Sequence, residues 1–330
     1  MTVDPRELLD DGLELLVLPS FSRIGYDLRR RMWGWEDVSR QSLDGRVALV
    51  TGPTSGLGRA TVSHLAAMGA RVLLLGRDAG RLEQTRLELE AWSGNHEIAW
   101  HEADLSSLEA VRRATDAILA TEARLDILVD NAGALIPERH RSADGFELSL
   151  ATMVLGPFVL VSRLLPLLRA AASSDRPARL VAVTSGGQYA QRVHLDDLEF
   201  EDEAYSGVFA YGRAKRAQVG LTREWARRLR PAGITANAMH PGWADTPGLA
   251  ASLPEFREFL GPYARTAEEG VDTIVWLAAS DEARRWTGRL FLDRRPRPFD
   301  RVPMTRLDGA ARRELWDRVV ALTGETPDLG

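Results

Sequence analysis

The run Val47-Ala48-Leu49-Val50 reads as a buried strand and passes directly into Thr51-Gly52-Pro53-Thr54-Ser55-Gly56-Leu57-Gly58. A helical pattern follows at once, over Gly58–Met68. Few architectures accept a glycine-rich turn at the junction of a first strand and a first helix. Glycines there permit a tight turn, close approach of the backbone to a pyrophosphate, and close packing of helix on strand. The helix N-terminus behind them favours phosphate charge. Alone the glycine pattern is weak, but strand before and helix after is the context that gives it meaning.

The rest of the chain repeats the alternation. Strand candidates are Arg46–Thr51, Arg71–Leu75, Glu97–His101, Leu125–Val129, Arg179–Thr184, Ile234–His240 and Arg289–Leu292. Helical patterns occupy Gly80–Trp92, Leu108–Thr121, Phe146–Ala171 and Ala210–Leu229. Strand–helix alternation predicts an α/β fold, a doubly wound parallel sheet of about seven strands covered on both faces. The pattern divides the chain into an N-terminal arm (1–44), a single domain (45–293) and a C-terminal tail (294–330) with a helix from Asp308 to Leu322. The arm carries apolar Leu13–Leu18, basic Arg29-Arg30-Arg31, and Trp33 and Trp35.

Composition excludes several classes. The net charge of −5 gives no electrostatic case for nucleic acid. The chain has no cysteine, so disulfides and thiolate chemistry are excluded. Its histidines are scattered without metal-ligand spacing, and no metal site is expected. No segment approaches the 18 or more apolar residues of a spanning helix, and the N-terminus lacks the features of a signal peptide. A cytoplasmic location is therefore expected. An arm packed on the body or on another subunit is expected over one lying on a membrane, since no sustained apolar helical face is evident.

Lys215 is the only lysine; every other residue in the Lys+Arg total of 42 is arginine. It closes the pattern Tyr211-Gly212-Arg213-Ala214-Lys215. Residues four apart share a helix face. A phenol has a reference pKa of about 10. A fixed charge at about 4 Å, with effective dielectric near 20, supplies roughly 4 kcal/mol. The pair is therefore a candidate acid/base, although a surface Tyr and Lys on an amphipathic helix would read the same way. The second strand candidate ends at Gly76-Arg77. An acidic residue there suits NAD, whereas an Arg accommodates a 2′-phosphate, so Arg77 argues for NADP over NAD.

The glycine pattern, with three residues between its first two glycines, together with Tyr211 and Lys215 resembles the short-chain dehydrogenase/reductase family. Asp104-Leu105 after the third strand resembles the family's adenine-side acidic position. Asn131-Ala132-Gly133 resembles its Asn-Asn-Ala-Gly motif, with Asp130 replacing the first Asn. Ser185 looks like the catalytic serine, and Pro241-Gly242 with Thr246 resembles the segment beneath the nicotinamide. The resemblance covers roughly residues 45–293 and implies a Rossmann-like fold.

By resemblance, Tyr211 exchanges the proton at the substrate oxygen. Lys215 lowers its pKa and holds the nicotinamide ribose, and Ser185 hydrogen-bonds the substrate carbonyl. Thr51, Gly52, Ser55, Gly56, Leu57, Gly58, Arg77, Asp104, Leu105, Asn131, Ala132, Gly133, Tyr211, Lys215, Pro241, Gly242 and Thr246 are the implied cofactor contacts. The implied reaction is hydride exchange between NADP(H) and a small-molecule carbonyl or alcohol. A homodimer through Phe146–Ala171 and Ala210–Leu229 is likewise implied.

Two departures stand out. Ser185 and Tyr211 are 26 residues apart, and the insertion between them carries Asp196, Asp197, Glu199, Glu201, Asp202 and Glu203. We expect a solvated loop there. The family's fourth catalytic residue, an Asn three positions before a helix glycine, matches Met153 before Gly156. A thioether cannot donate a hydrogen bond. The substrate pocket should be walled by Ser185–Gly187, by Trp243 to Tyr263 and by the insertion. Leu249, Leu253, Phe256, Phe259 and Leu260 make that lid apolar, which points to a lipophilic substrate. The competing class is a nucleotide-binding sensor or scaffold on the same fold that lacks turnover. A third is a membrane- or partner-binding protein acting through the arm.

Overall fold

The computed structural model describes residues 4–173 and 175–329. Eight strands form one sheet: β1 (Val47–Thr51), β2 (Arg71–Gly76), β3 (Ile98–Glu102), β4 (Ile127–Asp130), β5 (Ala178–Val183), β6 (Ile234–Met239), β7 (Leu290–Leu292) and β8 (Arg295–Arg297). Their order is β3-β2-β1-β4-β5-β6-β7-β8, and every pairing is parallel except β7 with β8. Strands β1, β4 and β5 are buried along their whole length, as strands covered on both faces must be.

Three helices make the arm: α1 (Pro5–Leu15), α2 (Val17–Phe21) and α3 (Arg23–Trp33). The body and tail contain α4 (Gly56–Ala67), α5 (Ala79–Ser93), α6 (Leu108–Thr121), α7 (Leu148–Leu150), α8 (Gly156–Ala171), α9 (Gly207–Leu229), α10 (Pro247–Ser252), α11 (Pro254–Leu260), α12 (Ala267–Ala279) and α13 (Gly309–Thr323). One apolar core lies between the sheet and α4, α5 and α12, and contains Val62, Leu65, Leu82, Leu89, Ile274 and Leu277. A second lies under α6, α8, α9 and α13, and contains Val111, Ile118, Phe158, Leu164, Trp225 and Val319, and a smaller third includes Phe21, Tyr189 and Leu292.

The expectation that no segment approaches a spanning helix needs correction. Leu148–Ala171 is long and apolar enough to cross a membrane; an 18-residue window within it has a mean hydropathy of 1.8, but 83% of that window is buried inside the fold. It is apolar because the sheet, α6, α9 and α13 surround it. Its first turns are not regular. Residues Ala151–Leu155 form a π-helical turn, and Gly156 follows where any side chain would strike the Leu105 carbonyl.

The eighth strand lies within the stretch read as tail. It turns back from β7 through Asp293 and Arg294, both with positive φ (54° and 56°). Two-residue hairpins of this hand normally use Asn or Gly. Here the turn side chains are anchored instead. Asp293 pairs with Arg265 and Arg29, and Arg294 pairs with Asp272 and donates to the Glu36 carbonyl.

The arm is docked by buried charge. Arg29 is fully buried and meets Asp10 at 2.6 Å, Glu14 at 2.8 Å and Asp293 at 2.8 Å. Arg265 joins Asp293 at 2.6 Å, Arg297 joins Asp10 at 2.9 Å, and Arg301 joins Glu14. Burial would push the Asp293 and Asp10 carboxyls up, but the arginines outweigh it and hold both below the ordinary carboxylate range. The arm's outer face is apolar: Leu8, Leu9, Leu15, Leu16, Leu18 and Ile24 are exposed.

The tail helix α13 covers the outer side of α8 and α9. Trp316 lies 4.5 Å from Trp225 and 5.0 Å from Phe158, ring centre to ring centre. These are the helices through which a dimer was expected; a partner there would have to displace α13 or use the surface beyond it.

Candidate active site

The C-terminal ends of the parallel strands converge where strand order reverses, between β1 and β4. Ligands of such sheets bind in that crevice. The turn after β1 is built for close approach. Gly52 and Gly56 have positive φ (66° and 51°), and a side chain at Gly58 would strike the Gly52 carbonyl. Ser55 precedes α4 without a side-chain cap, so the helix N-terminus keeps its amide donors for a ligand. The turn is locked from β4: the Thr51 hydroxyl accepts from the amides of Asn131 (3.0 Å) and Ala132 (2.9 Å). The Asn131 side chain donates to the Thr51 and Gly52 carbonyls.

Around this turn stand the other expected positions. Arg77 follows β2, is exposed, and among the described residues has no hydrogen-bond or ion-pair partner. Asp104, after β3, accepts from the Ser106 amide and hydroxyl, which fixes the loop leading to Leu105. Thr246 caps α10 by accepting from the Leu249 amide, and a side chain on Gly56 would meet it at 3.3 Å. Leu57 and Pro241 both face Gly270 of α12. The glycine cradle and the open helix end fit a dinucleotide, and Arg77 stands beside them, unpaired among the described residues.

Ser185, Tyr211 and Lys215 come together although 26 residues separate the first two. Lys215 Nζ donates to the Val183 carbonyl at 2.8 Å, and the Thr184 hydroxyl donates to the Lys215 carbonyl at 3.1 Å. These bonds tie α9 to the end of β5. Ser185 Oγ accepts from the Gly187 amide at 3.2 Å and lies beside the Tyr211 phenol. Gly133 closes the set; a side chain there would meet Met153 Sδ at 3.1 Å and Lys215 Nζ at 3.2 Å.

The electrostatics differ from the expectation in one respect. The expectation was a lowered phenol, but burial pushes Tyr211 above its ordinary value, with the hydrogen bond to Ser185 opposing. The ammonium sits 5.8 Å from the ring centre and is turned towards the strand. Lys215 is itself brought down to about 8 by burial, with Asp130 opposing.

The insertion before Tyr211 is stapled to neighbouring arginines. Glu201 pairs with Arg139 (3.1 Å) and Arg141 (2.6 Å), Glu203 with Arg213, and Asp196 with Arg318 (3.4 Å). Asp197 accepts from the amides of Glu201 and Asp202. The segment expected to form the lid contains α10 and α11; Trp243, just ahead of them, meets Phe256 at 5.3 Å, and Phe256 meets Phe259 at 6.5 Å.

Sequence reasoning missed the arm's part in this site. Phe21, at the end of α2, packs against Gly186, His240 (4.5 Å) and Trp243 (5.6 Å). Its carbonyl accepts from the Trp243 amide at 2.8 Å and from Arg265 at 3.0 Å. A side chain on Gly242 would strike both Arg265 and that carbonyl. The arm therefore braces the segment Pro241–Trp243 from outside. Nothing in the sequence marks Phe21 or Arg265 for this task.

Comparison with known proteins agrees with the geometry. Residues 46–255 match the short chain dehydrogenase family. Dehydrogenase/reductase SDR family member 12 of Bos taurus is 36% identical over 298 residues, covering 90% of this chain and 91% of that protein. Human retinol dehydrogenase 14 is 35% identical, covering 86% and 87%. Among solved structures, an uncharacterised protein from Mycobacterium paratuberculosis superposes with a TM-score of 0.70 at 27% identity, covering 88% of this chain and 98% of that one. The Pseudomonas aeruginosa RhlG/NADP complex gives 0.62 at 32% identity, covering 76% and 95%. The chain is an oxidoreductase acting on CH–OH groups, and it belongs to the short-chain dehydrogenase/reductase family.

Proposed function

We propose that the protein interconverts a carbonyl and an alcohol using NADP(H), with Tyr211 as the acid/base. The observation that carries this reading is the convergence of Ser185, Tyr211 and Lys215 beside the glycine turn. Bound nicotinamide supplies or accepts the hydride. The chain's own groups do the rest. The phenol of Tyr211 gives its proton to the carbonyl oxygen during reduction and takes it back during oxidation. Ser185 donates to the same oxygen and orients it. Lys215 holds the cofactor ribose and keeps positive charge near the phenol. Arg77 holds the 2′-phosphate, for which a guanidinium fork is well shaped.

A lipophilic substrate is supported by the aromatic lid of Trp243, Phe256 and Phe259, and by the likeness to a retinol dehydrogenase. The test is oxidation of NADPH and of NADH across a panel of short and long-chain aldehydes and ketones, with the alcohols run in reverse. Turnover with NADPH and a long-chain carbonyl is expected.

Met153 favours a second reading, a nucleotide-binding sensor without turnover, because an apolar, fully buried side chain stands at the family's Asn position. Tight NADPH binding with no turnover on the whole panel would select that reading. The cytoplasm is the proposed location; recovery of the expressed protein with sedimented membranes, through the arm's exposed leucines, would overturn it.

A further inference from the structure

Lys215 is buried, and its ammonium has a partner beyond the Val183 carbonyl. Nζ lies 3.3 Å from Gln218 Oε1, one turn along α9. Gln218 Nε2 donates to Asp130 Oδ2 at 2.6 Å, at the end of β4. Asp130 is 4% exposed, and its other oxygen, Oδ1, is buried with no hydrogen-bond partner among the described residues. Asp130 lines a cavity between β4, β5, α8 and α9, whose other walls include Met153, Phe158, Leu180 and Trp225. An ionised carboxylate in such surroundings is costly unless a positive charge compensates it.

Few charged groups surround the pair. Strand β5 and the segment from Met153 through α8 line the cavity with apolar side chains. Helix α9 contributes Gln218, Leu221, Thr222 and Trp225 to it, and Lys215, one turn before Gln218, has the Tyr211 ring 5.8 Å away. Among the described residues, Lys215 is the one opposite charge acting on Asp130, and Asp130 the one charge acting on Lys215. Gln218 joins them with its oxygen towards the ammonium and its amide N–H towards the carboxylate. That orientation suits an ionised Asp130 and a protonated Lys215.

We propose that Asp130, acting through Gln218, is the positioning residue of Lys215: it holds the ammonium in place and keeps it charged within an otherwise apolar wall. The proposal rests on the reading of Lys215 as part of the active site, and it gives the site a polar support where Met153 offers none. Burial raises Asp130 to about 6 and lowers Lys215 to about 8. Between those limits both groups are charged. Below the lower limit Asp130 takes up a proton and the support fails. Above the upper limit Lys215 loses its charge.

The sole lysine makes this directly measurable. Protein labelled with 13C-lysine has one lysine side chain, so its Cε resonance reports Lys215 alone, without cofactor or substrate. In the unaltered protein the resonance should titrate near 8 and show a second inflection near 6 as Asp130 protonates. Asp130→Asn should abolish the lower inflection and move the upper midpoint down by at least about one unit, a tenfold change in proton affinity. Gln218→Leu should also displace the midpoint, because it removes the bridge. Activity follows the same groups: Asp130→Asn should remove the acid limb of the kcat profile and shift the basic limb to lower pH. A single unbroken titration in the unaltered protein would overturn the proposal, as would a folded Asp130→Asn variant with an unchanged midpoint. Neither outcome depends on turnover, so failure of the relay and failure of the proposed reaction remain distinguishable.

Discussion

The ring of Phe21 lies edge-on against the backbone of Gly186: a side chain at 186 would come within 2.6 Å of Phe21 Cε2. Gly186 follows Ser185 directly, so the arm reaches the turn that carries the serine. Phe21→Ala should cost about 3–5 kcal/mol, as expected for a buried aromatic truncated to a methyl. It should also lower kcat/KM by up to about 10²-fold, the scale of a small misplacement near the reacting atoms. Kinetics are measured well below the variant's melting point. A folded variant with unchanged kcat/KM would restrict Phe21 to packing.

Arg29→Met should destabilise the chain by about 3–5 kcal/mol, since it leaves buried carboxylates without their partner. Chemical denaturation at neutral pH measures this. The pH dependence has a definite sign. Asp293 and Asp10 have depressed values in the folded protein, so their contribution is present above the unfolded carboxylate value of about 3.9 and is lost as pH falls through the folded values. The unaltered protein should therefore lose stability steeply below about pH 4. Arg29→Met should show a shallower loss there.

Arg77 projects from the end of β2 with its guanidinium unpaired among the described residues, and the neighbouring Asp78 carboxylate is engaged as the cap of α5, where it accepts from the Arg81 amide. NADPH should bind at least about tenfold tighter than NADH, which is 1.4 kcal/mol or more. Arg77→Asp should erase or reverse the preference. Calorimetric titration with both cofactors decides it; equal affinities in the unaltered protein would remove Arg77 from the site.

Tyr211→Phe deletes one oxygen and should leave NADPH affinity intact while turnover falls by roughly 10²–10⁴-fold, the contribution of a positioned acid. Lys215→Arg should lower both turnover and cofactor affinity, because Nζ occupies a closed space between Val183, Gln218 and Gly133. A guanidinium is wider and cannot enter it. Near-normal turnover of Tyr211→Phe would assign the proton to another group.

Trp316 seals the outer side of α8 and α9 against Phe158 and Trp225. With that face covered from within the chain, light scattering should give the mass of one chain. Trp316→Ala should cost about 3–5 kcal/mol and expose the apolar face, so that concentration-dependent association appears. A dimer in the unaltered protein with α13 still protected from hydrogen exchange would show that its interface lies elsewhere.

The glycine turn and the strands were legible because each has a local signature. Helix α6 runs over Leu108–Thr121 as its apolar spacing indicates, and Val47–Thr51 is a continuous apolar run because both faces are covered. What escaped notice depends on distant partners. Arg29 stands in a run of three arginines and reads as surface, yet it is fully buried because carboxylates from α1 and the β7–β8 turn surround it. Strand β8 is Arg-Pro-Arg, with no apolar pattern, and exists because β7 templates it through the Asp293-Arg294 turn. Asp130 and Gln218 are 88 residues apart, and no spacing rule connects them.

The bond between Arg29 and Asp293 spans 264 residues of chain. A ribosome adding about 5–20 residues per second delivers Asp293 roughly 10–50 s after Arg29. For most of that interval the arm lacks its charged partners, because Arg265 is made only 28 residues before Asp293, and Arg297 and Arg301 follow it. The arm is therefore made long before its partners and settles after them, and its leucines and arginine wait in water or with a chaperone. Since Phe21 rides on that segment, the wall of the active site beside Ser185 gains its buried anchor only after β7 and the turn that follows it have been made.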